Sequence, residues 1–136
     1  MGDKTSKHGA TILIAEDEAL LLDLLRKILC AAGYQVLTAP DGKGALEVAG
    51  QHTGKIDLLL SDVVMPGMSG VELAKAFKAK HPQSRIILTS AYPQGMLLMD
   101  SDWCFIPKPY FQQRLLEEVG NVLSVPLEQS KIEERE

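Results

Sequence analysis

Apolar positions along the chain fall into short blocks separated by polar turns. Residues 11–15 (TILIA) form a run that is β-branched at its start and suits a buried strand. Over residues 18–32 apolar side chains recur on most turns of a helix, and Gly33 stands at the position that follows a helix C-terminus. Residues 34–38 (YQVLT) alternate as a strand, and residues 40–50 read as a short helix opened by Pro-Asp. Residues 55–61 (KIDLLLS) predict another buried strand. Residues 63–70 hold Pro66, Gly67 and Gly70 and must be a loop. A helix over 71–80 ends before Pro82. Residues 85–89 (RIILT) and 103–106 (WCFI) predict two more strands, and residues 111–123 a last amphipathic helix. Strands and helices therefore alternate, which implies a parallel sheet with helices on both faces. Crossovers in such a sheet are right-handed, and ligands bind beyond the carboxyl ends of the strands.

The chain has 136 residues, 46% of them hydrophobic, which suits one packed domain. That domain is expected over 11–124, with residues 1–10 an N-terminal tail. Residues 125–136, rich in Glu and poor in large apolar groups, read as a C-terminal tail or linker. The formal charge is −4 with no basic block, which argues against nucleic acid as a direct partner. No apolar run approaches the roughly 18 residues needed to span a bilayer, so no membrane association is expected. Residues 1–9 lack the apolar stretch of a signal peptide. Cys30 and Cys104 show no metal spacing and read as free core thiols of a cytoplasmic protein. His8, His52 and His81 read as solvated.

Positions just after the strands gather a particular chemistry. Glu16, Asp17 and Glu18 follow the first strand, Asp62 the third, Thr89 and Ser90 the fourth, and Lys108 the fifth. Each has an ordinary explanation: an acidic run before a helix complements its dipole, an Asp after a strand is a turn residue, a hydroxyl there bonds backbone, and a lysine is solvated. Their joint occurrence at one edge of a parallel sheet favours a site. Crowded carboxylates repel one another unless a cation neutralises them. Mg²⁺ needs few protein oxygens and keeps several waters. Asp17 and Asp62 can supply carboxylates, and the Val64 carbonyl lies on the loop two residues beyond Asp62. A carboxylate oxygen of Asp62 can then attack a phosphoryl group. Lys108 can pair with one phosphoryl oxygen as a point charge and Ser90 can donate to another.

Residues 12–18 (ILIAEDE), 57–70 (DLLLSDVVMPGMSG) and 106–110 (IPKPY) resemble the signatures of receiver domains of two-component response regulators. The likeness spans about residues 11–123. It implies a five-stranded doubly wound sheet of order 2-1-3-4-5, a flavodoxin-like three-layer sandwich. It implies Asp62 as phosphoacceptor, with Glu16 and Asp17 as the acidic pair that binds Mg²⁺ or Mn²⁺ together with Asp62 and the Val64 carbonyl. Ser90 and Lys108 would complete the catalytic set. Ser90 would also be the switch hydroxyl and Phe105 the switch aromatic, and Pro109 would follow a cis peptide bond. The family has one hydroxyl after the fourth strand, whereas Thr89 and Ser90 are adjacent here. Ser90-Ala91-Tyr92 fits the hydroxyl–small–aromatic pattern, which would turn Thr89 into the sheet's core. Residues 93–102 (PQGMLLMDSD) are shorter than usual for the family, so the fourth helix is expected to be short or irregular, as in receivers of hybrid sensor kinases.

The resemblance implies a signalling module, not an enzyme with external substrates. A histidine kinase or a histidine phosphotransfer protein would donate the phosphoryl group, and an unknown downstream protein would respond. The chain would be a stand-alone regulator or the receiver of a hybrid kinase. A phosphatase with an aspartate nucleophile, of the haloacid dehalogenase type, needs a second carboxylate two residues on, where Val64 stands. A receiver-like protein that works without phosphorylation would not need Asp62, Ser90 and Lys108 together. A P-loop is absent, since no GxxxxGK[ST] run exists.

Overall fold

The computed structural model describes residues 9–92 and 102–124. Its elements in chain order are β1 (Thr11–Ala15), α1 (Ala19–Ala31), β2 (Gln35–Ala39), α2 (Gly42–Gln51), β3 (Leu58–Asp62), α3 (Gly70–Lys80), β4 (Arg85–Ser90), β5 (Cys104–Pro107) and α4 (Gln112–Ser124). The expected short fourth helix in 93–101 and most of both tails lie outside the described residues. Among the described residues no helix is long and apolar enough to cross a membrane.

All five strands pair in parallel, in the order β2-β1-β3-β4-β5. The alternation of side chains along each strand divides the core in two. Leu13, Ala15, Leu59 and Leu88 pack with Phe77 and Leu73 of α3 and with Ala45 and Ala49 of α2. Ile12, Ile14, Leu58, Leu60, Ile87 and Ile106 pack with Leu25 and Leu29 of α1 and with Leu115 and Val119 of α4. The interior strands are apolar on both faces, which is why they read as unbroken hydrophobic runs.

Local signals explain the boundaries. Gly33 has φ 101° and donates its N–H to the Cys30 carbonyl at 3.0 Å, closing α1 in a conformation that glycine adopts without strain. The Asp41 side chain accepts from Gly44 N at 2.7 Å and opens α2. Strand β3 starts at Leu58, later than residue 55, because the Asp57 carboxylate takes the Thr11 N–H at 2.8 Å and pairs with Lys55. Two expectations are corrected. Cys30 is exposed, because it follows buried Leu29 by one helical step of about 100°; Cys104 is half-buried and also a free thiol. His81 is not simply solvated: its ring stacks on Phe77 with centroids 4.6 Å apart.

Candidate functional site

Strand register brings the ends of β1, β3, β4 and β5 to one edge. Ala15 pairs with Ser61, Asp62 with Thr89, and Ser90 with Pro107. The next backbone bonds continue the ladder: Glu16 N–H to the Ala39 carbonyl, Val63 N–H to Thr89, and Lys108 N–H to Ser90. Glu16, Asp62 and Ser90 therefore sit at or just past the ends of interior strands, and Lys108 just past the edge strand β5, held there by its N–H to Ser90.

Glu16, Asp17, Asp62, Val64, Ser90 and Lys108 line one open cavity of about 520 Å³, together with Glu18, Ala91 and Tyr92. Thr89, Phe105 and Pro109 do not line it. Thr89 is buried, and Phe105 packs against the core cluster on the α2/α3 face. The Lys108–Pro109 peptide bond is cis.

Glu16, Asp17 and Asp62 each offer a carboxylate oxygen within 4.8 Å of the other two. Lys108 Nζ lies 3.0 Å from Asp62 Oδ2 and 3.5 Å from Glu16 Oε1. Glu16 is only 3% exposed. Burial pushes its carboxyl above the usual carboxylate range and outweighs the downward effects of the Glu18 N–H and the Lys108 charge, while Asp62 adds to the rise. Burial lowers the Lys108 ammonium, but its bond to Asp62 and the charges of Asp62 and Glu16 leave it raised overall. The acidic run does serve as a helix cap, in an unexpected way. Glu18, the N-cap of α1, makes no side-chain cap bond, whereas Glu16 Oε2 accepts the Glu18 N–H at 3.1 Å.

The donor set fits a hard divalent cation. It consists of carboxylate oxygens, with no imidazole or thiolate among them, and oxygen donors suit Mg²⁺ or Mn²⁺. The one ammonium beside them is pinned on the side of Asp62 and Glu16, and Asp17 stays exposed.

Two supports of the site carry no chemistry of their own. A Cβ on Gly70 would come within 2.1 Å of the Asp62 carbonyl oxygen, so only glycine permits α3 to start against the end of β3. Gly70 N–H then bonds the Val63 carbonyl at 2.8 Å. Tyr92 N–H donates to Ser90 Oγ at 2.9 Å and fixes that hydroxyl at the rim. In the sequence Gly70 reads only as part of the 63–70 loop; its place directly before the helix over 71–80 was the available signal. Two exposed large apolar side chains line the cavity, Tyr92 at 59% and Val64 at 54%.

Fold and site together define a doubly wound parallel α/β domain with a cation-ready acidic pocket beyond its strand ends. The model of the response regulator receiver domain matches residues 12–120, and the chain belongs to that family. It is a signalling module of two-component systems, not an enzyme. It is 34% identical over 119 residues to the sensor kinase CckA of Brucella abortus, covering 85% of this chain but 13% of that protein. It is 33% identical over 118 residues to the chemotaxis protein CheY of Bacillus subtilis, covering 83% of this chain and 97% of that one. The response regulator TrrA of Thermotoga maritima, solved in complex with Mg²⁺-BeF, superimposes with a TM-score of 0.71 and 31% identity, over 84% of this chain and 99% of that one. The chain thus spans nearly all of one such relative and a small part of another. The pocket of Glu16, Asp17 and Asp62 fits a phosphoacceptor site.

Proposed function

We propose that Asp62 accepts a phosphoryl group from a histidine kinase or a histidine phosphotransfer protein, and that the phosphorylated domain changes its affinity for a downstream protein. The observation that carries this reading is the set of three carboxylates within 4.8 Å of one another, with Lys108 Nζ at 3.0 Å from Asp62 Oδ2. Receiver domains are phosphorylated by histidine kinases, and the likeness to CckA and the Mg²⁺-BeF complex of TrrA support the same chemistry here.

Asp17, Asp62, the Val64 carbonyl and Glu16 would hold Mg²⁺ or Mn²⁺. A cation held there would neutralise the phosphoryl oxygens and the crowded carboxylates. An Asp62 oxygen attacks phosphorus in line as the bond to the donor imidazole nitrogen breaks, and the imidazole leaves with the electron pair. Lys108 pairs with a phosphoryl oxygen and Ser90 donates to another once its hydroxyl turns from Tyr92 N–H. Phe105, on the strand between Ser90 and Lys108, repacks with that movement. The response is a population shift bounded by the differential contacts of the phosphoryl group. The exposed Val64 and Tyr92 at the cavity support a protein donor. The same chemistry serves a stand-alone regulator or a receiver within a sensor kinase. Val64, with no titratable group, offers no acid for phosphatase chemistry on external substrates.

Incubation of Asp62→Ala with acetyl phosphate and Mg²⁺ tests the acceptor. Intact-mass spectrometry should show one phosphoryl adduct on the parent chain and none on the variant. An equal adduct on both would remove Asp62 from the role.

A further inference from the structure

Ser61 follows the apolar run Leu58, Leu59 and Leu60 of β3 and is 1% exposed. Its register partners are Ala15 on β1 and Leu88 on β4, both buried members of the apolar cluster on the α2/α3 face. An alanine would fit that layer without burying a hydroxyl. Packing therefore accounts for a small side chain and leaves the hydroxyl unexplained.

The hydroxyl bonds the backbone of Asp62. Ser61 Oγ donates to the Asp62 carbonyl at 2.9 Å. That carbonyl belongs to the peptide group joining Asp62 to Val63, and the N–H of the same group donates to the Thr89 carbonyl at 2.8 Å. Gly70 closes on the carbonyl from outside, so near that a Cβ there would collide with it. One peptide group is thus held at both of its polar atoms, and the bond at its oxygen comes from a side chain. The Asp62 carboxylate hangs from one side of this group. On the other side the Val64 N–H reaches back to Asp62 Oδ1 at 3.3 Å. Without the Ser61 donor, the cost of an unpaired carbonyl screened by Gly70 favours a turn of the peptide plane toward another partner. Such a turn moves the Asp62 carboxylate off Lys108 Nζ, now 3.0 Å from Oδ2, and shifts the loop that carries Val64.

We propose that Ser61 is a positioning residue for phosphoryl transfer: its hydroxyl fixes the Asp62–Val63 peptide group and so aims the Asp62 carboxylate into the pocket. Ser61 does not line the cavity, so it acts through Asp62 and not on the phosphoryl group. The inference rests on Asp62 as the acceptor, the reading given under the proposed function.

The test follows initial rates of phosphoryl uptake from acetyl phosphate at saturating Mg²⁺ by intact-mass spectrometry, with urea unfolding midpoints in parallel. Ser61→Ala should take up the group about tenfold more slowly, since a small misplacement of a reacting oxygen lowers the rate steeply. Ser61→Thr keeps the hydroxyl, suits a strand and adds one methyl, and should stay within about threefold of the parent chain. Ser61→Cys, near serine in shape but a weak donor, should be slowed like the alanine variant and decides the matter if that variant does not fold. Alanine and cysteine variants as fast as the parent overturn the proposal, even with lowered urea midpoints, because the hydroxyl would then serve stability alone. Equal slowing of the alanine and threonine variants overturns it too, since the loss would follow from any change of side chain. A parent chain that takes up no phosphoryl group, or whose Asp62→Ala variant takes up as much, overturns the acceptor reading and this inference with it.

Discussion

Glu16 illustrates how a single side chain serves two purposes at a cost. Its Oε2 closes the start of α1 by accepting the Glu18 N–H, and its other oxygen faces Lys108 in the acidic pocket. Burial raises its pKa above the ordinary 4.5, so the folded state holds the proton more tightly than the unfolded one. The contribution is fully present below the unfolded value and is lost as pH rises through the raised folded value. The stability of the metal-free chain relative to Glu16→Gln should therefore decline as pH increases from about 4.5 toward neutrality, with a slope of at most about 1.4 kcal/mol per pH unit. Urea denaturation of both proteins in EDTA measures the difference. Saturating Mg²⁺ should abolish the decline, because the ion adds positive charge beside Glu16 beyond that of Lys108. A difference that grows with pH in the metal-free state would contradict the assigned burial cost.

Helix α3 shows how an element holds the site from outside. Ser69 Oγ accepts the Glu72 N–H at 3.1 Å, and Glu72 Oε1 accepts the Ser69 N–H at 2.9 Å, a complete capping box. The box anchors the loop after Asp62, whose Met65 is buried and whose Met68 packs against the core. Gly70 then permits the helix to begin against the Asp62 backbone. Ser69→Ala should cost about 1 kcal/mol of stability. The midpoint of urea unfolding checks this, and an unchanged midpoint would show that the loop is held by its methionines alone. At the other end of the helix, Lys78 Nζ reaches the carbonyls of Pro82 and Ser84 at 3.1 and 2.8 Å. A lysine long enough to fold back over a helix terminus looks like a solvated one in a sequence pattern.

At the scale of the whole molecule, two apolar clusters sandwich one sheet, and among the described residues every member of both falls between Thr11 and Leu123. The pocket residues fall in the same span. A chain trimmed to 11–124 should therefore fold cooperatively and still take up phosphoryl on Asp62. It loses the Gly9 N–H bond to Gly33 and the Ala10 carbonyl that accepts Gln35 N–H, together worth about 1–2 kcal/mol. Its melting temperature should fall by no more than about 10 °C. Calorimetry that showed a broad, non-cooperative transition would place an essential part of the domain outside these limits.

Much of this was legible from residue order alone. The strands 11–15 and 85–89 and the helix ending before Gly33 follow from local rules of periodicity and capping, which need only neighbouring residues. So does the expectation that strand ends carry the chemistry, because parallel β–α alternation aims all carboxyl ends one way. Other features depended on residues distant in the chain. That Glu16 is buried while Asp17 is exposed follows from which neighbours cover each strand end. That Lys108 bridges Asp62 and Glu16 depends on contacts 46 and 92 residues apart. That the Tyr110 hydroxyl has no partner depends on what surrounds it from several elements. The alternating architecture and the identity of the clustered side chains come from residue order, because both are written in local pattern. Distances, burial and the resulting charge balance come from the folded arrangement, because they are properties of packing between segments that the chain order does not bring together.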